Sequence, residues 1–210
     1  MITLLDYGAG NVRSVINAVE RLGGSLKLVT RPEDILSADK LIFPGVGNYE
    51  CMIQILNQKN YIEPLRQYLS ADRPFFGICL GMQALFQGSE EAVSSNESLG
   101  FFKGRVERFK TDLAVPHMGW NGINIRQKSQ LLAGVDPDSR FYFVHSYHLV
   151  PEDPSVILTT TTYDYEFTSS VQKGNVMGTQ FHPEKSGRVG LQLLENFIRS
   201  ADLHAKGPIE

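Results

Sequence analysis

Cysteine is scarce in this chain: its 210 residues hold only Cys51 and Cys79. Two thiols exclude a disulfide framework and leave each to be explained on its own. A basic excess is missing as well, with 20 Lys and Arg against 23 Asp and Glu for a net charge of −3. No nucleic-acid partner is therefore expected, because polyanion binding runs on clustered cations. No window approaches the roughly 20 apolar residues of a bilayer-spanning helix, and nothing repeats at a period of about 20 to 50 residues. Membrane-spanning helices and solenoids are set aside. The opening residues carry neither the basic lead nor the apolar core of a secretory leader, so a cytoplasmic protein is expected. The glycosylation pattern Asn96-Glu97-Ser98 then reads as coincidence in a polar loop. Neither Gly8/Gly10 nor Gly45/Gly47 continues to the third glycine of a dinucleotide loop, since Arg13 and Glu50 stand there.

What remains is an ordinary globular composition, 42% hydrophobic and 20% charged. One domain over residues 1–203 is expected, with a flexible tail at 204–210. The first 90 residues alternate short β-rich runs (Ile2–Tyr7, Leu26–Val29, Lys40–Phe43, Pro74–Ile78) with helical patterns, of which 12–22 has the clearest apolar face. From Glu90 onward, alternating segments such as Arg105–Phe109, Gly122–Ile125, Phe141–Val144, Val156–Thr162, Glu166–Gln172 and Val176–Phe181 suit antiparallel strands, and 190–198 a closing amphipathic helix. The expected fold is α/β: an open, mainly parallel twisted sheet with helices on both faces and an antiparallel extension.

The sharpest chemical signal is Phe75-Phe76-Gly77-Ile78-Cys79-Leu80-Gly81-Met82-Gln83, a buried strand running through Gly-x-Cys-x-Gly into a helix. That is the form of a nucleophile elbow, where glycines two residues either side permit the reversal. The helix N-terminus would favour thiolate, and the Leu80 amide would face a developing oxyanion. A small buried core cysteine is the plain alternative. The thiol needs a base and the base an orienting group. His182-Pro183-Glu184 supplies both if the segment is extended, because residues two apart then project to one side; a surface ion pair is the plain alternative. Phe43-Pro44-Gly45-Val46-Gly47-Asn48 ends another strand in glycines and should share the carboxyl rim with Cys79, offering a second oxyanion amide. Cys51 reads as an inert helical thiol. His145 and His148 make a poor zinc site, and no metal or other cofactor is expected. His117, Met118 and Trp120 fall in Pro116–Asn121, read as an exposed turn on a contact surface.

Gly77-Ile-Cys79-Leu-Gly81-Met-Gln83 with His182-Pro-Glu184 resembles the class I glutamine amidotransferases. Further blocks (Asp6–Ser14, Pro44–Gly47, Pro116–Asn121, Phe143–Tyr147 and His182–Ser186) are similar to the members that serve imidazole glycerol phosphate synthases. The resemblance implies Cys79 as nucleophile, His182 as acid and base, and Glu184 as its partner. It implies that Val46, Gly47, Leu80, Gln83, Ser146 and Tyr147 hold glutamine or its oxyanion. It implies transfer of ammonia to a (β/α)8-barrel cyclase subunit, which makes imidazole glycerol phosphate and an aminoimidazole carboxamide ribotide. These residues hold no barrel, so that partner is expected on a separate chain or cut away. Met118, Trp120 and Lys185 are the expected contacts to it. Glutaminase partners of other syntheses, a stand-alone γ-glutamyl hydrolase and a silent binding subunit are the competing readings.

Overall fold

The computed structural model describes residues 1–8, 12–92 and 98–200. The Asn96-Glu97-Ser98 pattern and the 204–210 tail are outside the described residues in whole or part. The first half runs β1 (Ile2–Leu4), α1 (Val12–Arg21), β2 (Leu26–Leu28), α2 (Pro32–Leu36), β3 (Lys40–Gly45), α3 (Tyr49–Gln58), α4 (Ile62–Ser70), β4 (Phe75–Cys79) and α5 (Leu80–Gln83). The second half runs β5 (Gly104–Arg108), β6 (His117–Gly122), β7 (Asn124–Ile125), β8 (Arg140–His145), β9 (Tyr147–Pro151), β10 (Ile157–Tyr163), β11 (Tyr165–Lys173), β12 (Val176–Thr179) and α6 (Gly187–Arg199).

Ten strands form one sheet, with the path β2-β1-β3-β4-β12-β11-β10-β7 and the β5–β9 pair attached to β11 through β9. The first five strands of the path are parallel and the rest antiparallel. Both faces are covered, which is why strand residues alternate between two cores rather than between core and water. In β3 and β4, Phe43 and Phe75 pack with Met52, Leu56 and Leu65 of α3 and α4. Their neighbours Ile42 and Phe76 pack on the opposite face with Val15 of α1 and Leu193 and Phe197 of α6. Strands β6 and β8 form a separate two-stranded ribbon.

Three elements differ from the sequence-based expectation. Strand β12, read with the antiparallel half, is antiparallel to β11 but parallel to β4 on its other side, with Thr179 opposite Ile78. Most of Pro116–Asn121 is strand rather than turn, because six consecutive pairs with β8, from His117–His145 to Gly122–Arg140, override the turn-forming Pro116 and Gly119. Helix α2 was not anticipated: it is only five residues long, too short for a periodic signal. It starts at a proline, and its buried Asp34 accepts hydrogen bonds from the Thr30 and Arg31 backbone and, at 2.6 Å, from Lys27.

Candidate active site

Parallel register delivers the three proposed rim segments to one place. Gly45 pairs with Cys79 across β3–β4, and Thr179 with Ile78 across β4–β12. Residues 46–48, Cys79 and His182 therefore leave adjacent strand ends, where open α/β sheets gather ligands.

Cys79 sits at the reversal with φ 54° and ψ −110°, a sparsely populated conformation for a non-glycine residue. The flanking glycines are obligatory. A Cβ on Gly81 would come within 1.9 Å of the Phe43 carbonyl oxygen, and one on Gly77 within 2.7 Å of the Gly81 carbonyl oxygen. The helix that follows, as expected from the sequence, is a single turn, Leu80–Gln83. It ends early because the next residues bridge to another segment: the Phe102 N–H donates to the Leu85 carbonyl, and Phe86 pairs with Phe102. Local amides, not a long helix dipole, face Cys79.

His182 is buried and its Nδ1 pairs with Glu184 Oε1 at 2.8 Å, both side chains being only 2% exposed. The pairing arises differently from the sequence expectation. Pro183–Lys185 is a 3-10 turn and His182 its N-cap, so curvature rather than an extended repeat brings the carboxylate back to the ring. Among the described residues, no geometric hydrogen bond reaches His182 Nε2 or Glu184 Oε2, which leaves Nε2 to interact with Cys79. Burial opposes a charge on His182, but Cys79 and then Glu184 outweigh it and raise the imidazole well above its ordinary range. A thiol, an imidazole and a carboxylate so arranged can hold a thiolate–imidazolium pair.

Around them lies a cleft of ≈ 300 Å³ lined by Val46, Gly47, Cys79, Leu80, Gln83, Ser146, Tyr147 and His182, so it contains every residue expected to hold glutamine or its oxyanion. Glu91, Pro116 and His145 also line it and were not anticipated. Gln83 is not free in the cleft: its side-chain amide donates to the Tyr147 carbonyl (3.2 Å) and to Gln180 Oε1 (3.0 Å). Gln180 in turn points Nε2 at Cys79 Sγ, 3.6 Å away. Sequence reasoning missed Gln180, although a polar residue between Thr179 and Phe181 on a fully buried strand end was a signal.

The three remaining histidines are structural. Because the Tyr147 carbonyl can only accept, His145 Nδ1 (2.7 Å away) carries the proton, and His145 Nε2 accepts from His117 Nδ1 at 3.1 Å. Burial lowers His117 to about 4 and His145 to about 3, so both are neutral when folded. The unfolded chain binds protons at them near pH 6.5, so their contribution to stability is complete above that pH and is lost as pH falls toward 4. Urea midpoints should fall across this interval, and His117→Gln should flatten the fall; an unchanged slope in the variant would refute the assignment. Among the described residues, no group of three or more His, Cys, Asp or Glu side chains could hold a metal. Cys51 is exposed in the first turn of α3, where its N–H donates to the capping Asn48.

Met118 and Trp120 project from β6 to one side, 63% and 52% exposed, while the intervening register buries His117. Tyr142 lies across the ribbon from Trp120 with its ring 6.1 Å away, and Lys185 Nζ is 5.9 Å from the Tyr142 centroid. Trp120 and Lys185 thus both lie beside Tyr142, while Met118 is paired with Val144 on the same ribbon.

Residues 3–201 match the family model of the class-I glutamine amidotransferases. The imidazole glycerol phosphate synthase subunit HisH of Syntrophotalea carbinolica is 46% identical over 205 residues, covering 94% of this chain and 98% of that protein. The chain belongs to the HisH family of class I glutamine amidotransferases. Another family relative, the chloroplastic imidazole glycerol phosphate synthase hisHF of Arabidopsis thaliana, is 48% identical across the whole chain, which spans only 36% of that longer protein. Among solved structures, one described as a glutamine amidotransferase superposes with a TM-score of 0.73 at 20% identity, covering 93% of this chain and 98% of that one. At that identity the likeness speaks for the amidotransferase fold alone. No helix among the described residues is long and apolar enough to cross a membrane.

Proposed function

We propose that this protein hydrolyses glutamine to glutamate and ammonia, and passes the ammonia to a (β/α)8-barrel cyclase subunit of an imidazole glycerol phosphate synthase in histidine biosynthesis. The observation that carries the chemistry is the strained Cys79 elbow opening into the same cleft as His182, whose ring is held from behind by Glu184. The Cys79 thiolate attacks the side-chain amide carbon, and the oxyanion that forms is met by the Leu80 amide and an amide of the Val46-Gly47 segment. Imidazolium at His182 gives its proton to the departing nitrogen, which leaves as ammonia, and a γ-glutamyl thioester remains. Water then adds to the thioester, His182 takes its proton, and release of glutamate restores the thiolate–imidazolium pair.

The names of the HisH and hisHF relatives support this assignment of pathway and partner. A docking surface is available in exposed Met118 and Trp120 with Tyr142 and Lys185, the kind of aromatic cluster that anchors interfaces. The test is ammonia release from glutamine with and without a barrel cyclase and its nucleotide substrate. A rise of about 10²-fold is expected, the worth of one oxyanion-hole donor; a rate little altered by a competent cyclase would count against the reading.

A further inference from the structure

A polar side chain with no part in the reaction scheme lies against the reacting sulfur. Gln180 follows the last residue of β12 and is fully buried. Its backbone is pinned on every side. The Gln180 N–H donates to the Ser169 carbonyl of β11 at 2.8 Å, the Thr179 hydroxyl to the Phe181 carbonyl at 3.0 Å, and the His182 N–H to the Tyr142 carbonyl at 2.9 Å. Gln180 and His182 therefore approach Cys79 from one fixed segment, the first with an amide and the second with an imidazole.

The orientation of that amide is dictated by a chain of contacts that begins at a carbonyl. The Tyr147 carbonyl can only accept, so the end of Gln83 that faces it at 3.2 Å is the NH2 group. The same NH2 group faces Gln180 at 3.0 Å, and Gln180 must present its oxygen there. That leaves the Gln180 NH2 group toward Cys79 Sγ, 3.6 Å away and within reach of an N–H···S hydrogen bond. Turning the amide over would set two NH2 groups against each other and aim an oxygen at the sulfur. A donor in this position matters most when the sulfur is charged, because Cys79 is buried and has little water to solvate it.

We propose that Gln180 is a further catalytic residue: its side-chain N–H stabilises negative charge on Cys79 Sγ, and Gln83 keeps the amide turned to that task. The charge is present twice in each turnover. It is there when the thiolate attacks the amide carbon, and it returns when the second tetrahedral intermediate collapses, as the C–S bond breaks and its electron pair goes back to sulfur. In the thioester between these steps the sulfur is neutral and the contact contributes least. The inference rests on the glutaminase reading above and adds a donor at the sulfur to those at the oxyanion.

Gln180→Met keeps the length of the side chain and removes the donor. Iodoacetamide alkylation of Cys79, told apart from that of Cys51 by mass spectrometry, should become half-maximal about one pH unit higher in the variant than in wild type, the tenfold equivalent of one hydrogen bond to a charge. The acid limb of glutamine turnover should move with it, and kcat should fall about tenfold. The titratable groups around the sulfur are His182 and Tyr7, with Glu91 and His145 on the cleft wall, and the substitution alters none of them. A merely structural glutamine would lower the amplitude of both profiles and leave their midpoints in place, and that result overturns the proposal. If the variant does not fold, the wild-type protein carries the test: the Gln180 side-chain amide resonance should titrate with the Cys79 alkylation midpoint, and a resonance flat across it overturns the proposal as well. Alkylation reads the thiol without glutamine, so a protein that shows the shift but releases no ammonia even with a liganded cyclase would instead overturn the glutaminase reading.

Discussion

Cys79→Ser is expected to abolish ammonia release, by about 10⁴-fold or more, while leaving the fold and the exposed Met118–Trp120 surface unchanged. The substitution exchanges sulfur for oxygen with almost no change of volume, at a position only 8% exposed and already held in the elbow conformation. Chemistry is what differs. A thiol can be held as thiolate beside the raised His182, whereas a serine hydroxyl ionises far above any pH at which the protein folds. The hydroxyl would have to give up its proton to His182 during attack, at an oxygen that is a far weaker nucleophile than sulfur. Ammonia release and mass-spectrometric capture of the γ-glutamyl thioester from wild-type protein give the check. Retained turnover in the serine variant, or a thioester on Cys51 instead, would remove Cys79 from the proposed mechanism.

Glu184→Gln is expected to lower kcat by about 10⁴-fold, the size of effect that follows when the carboxylate behind a catalytic histidine is neutralised. The glutamine carbonyl can still accept from His182 Nδ1, so the geometry survives and the charge does not. Because Glu184 is among the groups that raise His182, its neutralisation lowers the pH at which the imidazolium gives up its proton. The alkaline limb of the pH–rate profile should therefore move toward neutrality in the variant. The new amide would also bury a donor where Glu184 Oε2 now has no partner, at a cost of about 1–3 kcal/mol in stability. A profile whose alkaline limb stays in place would mean that Glu184 does not govern the proton on His182.

Much of this site was legible before any coordinates because its constraints are local. Gly77 is required by a backbone contact with Gly81 four residues on, and the spacing of the two glycines around Cys79 announces the turn, although the contact that excludes a side chain at Gly81 comes from Phe43 of β3. What could not be read was set by neighbours distant in the chain. Pro116–Asn121 became a strand only because β8 lies beside it, and Val176–Thr179 is parallel only because a slot beside β4 accepts it. The length of the helix after Cys79 was not legible either, because the bridge to Phe102 beside its end comes from another segment. Gln180 was missed for a further reason. It acts on another residue's atom, Cys79 Sγ, and carries no motif of its own.

The seat of β12 between β4 and β11 also sets when the protein becomes reactive during its own synthesis. Cys79 and the oxyanion segment are translated roughly a hundred residues before His182, and β4 gains its neighbour on that side only when β12 arrives. At about 5–20 residues per second, the ribosome leaves an interval of some 5–20 s in which the elbow thiol exists without its base. On the proposed mechanism a nascent chain lacking His182 would not spend glutamine. Catalytic competence arrives with the closing strand and the final helix, close to the moment at which a partner could dock.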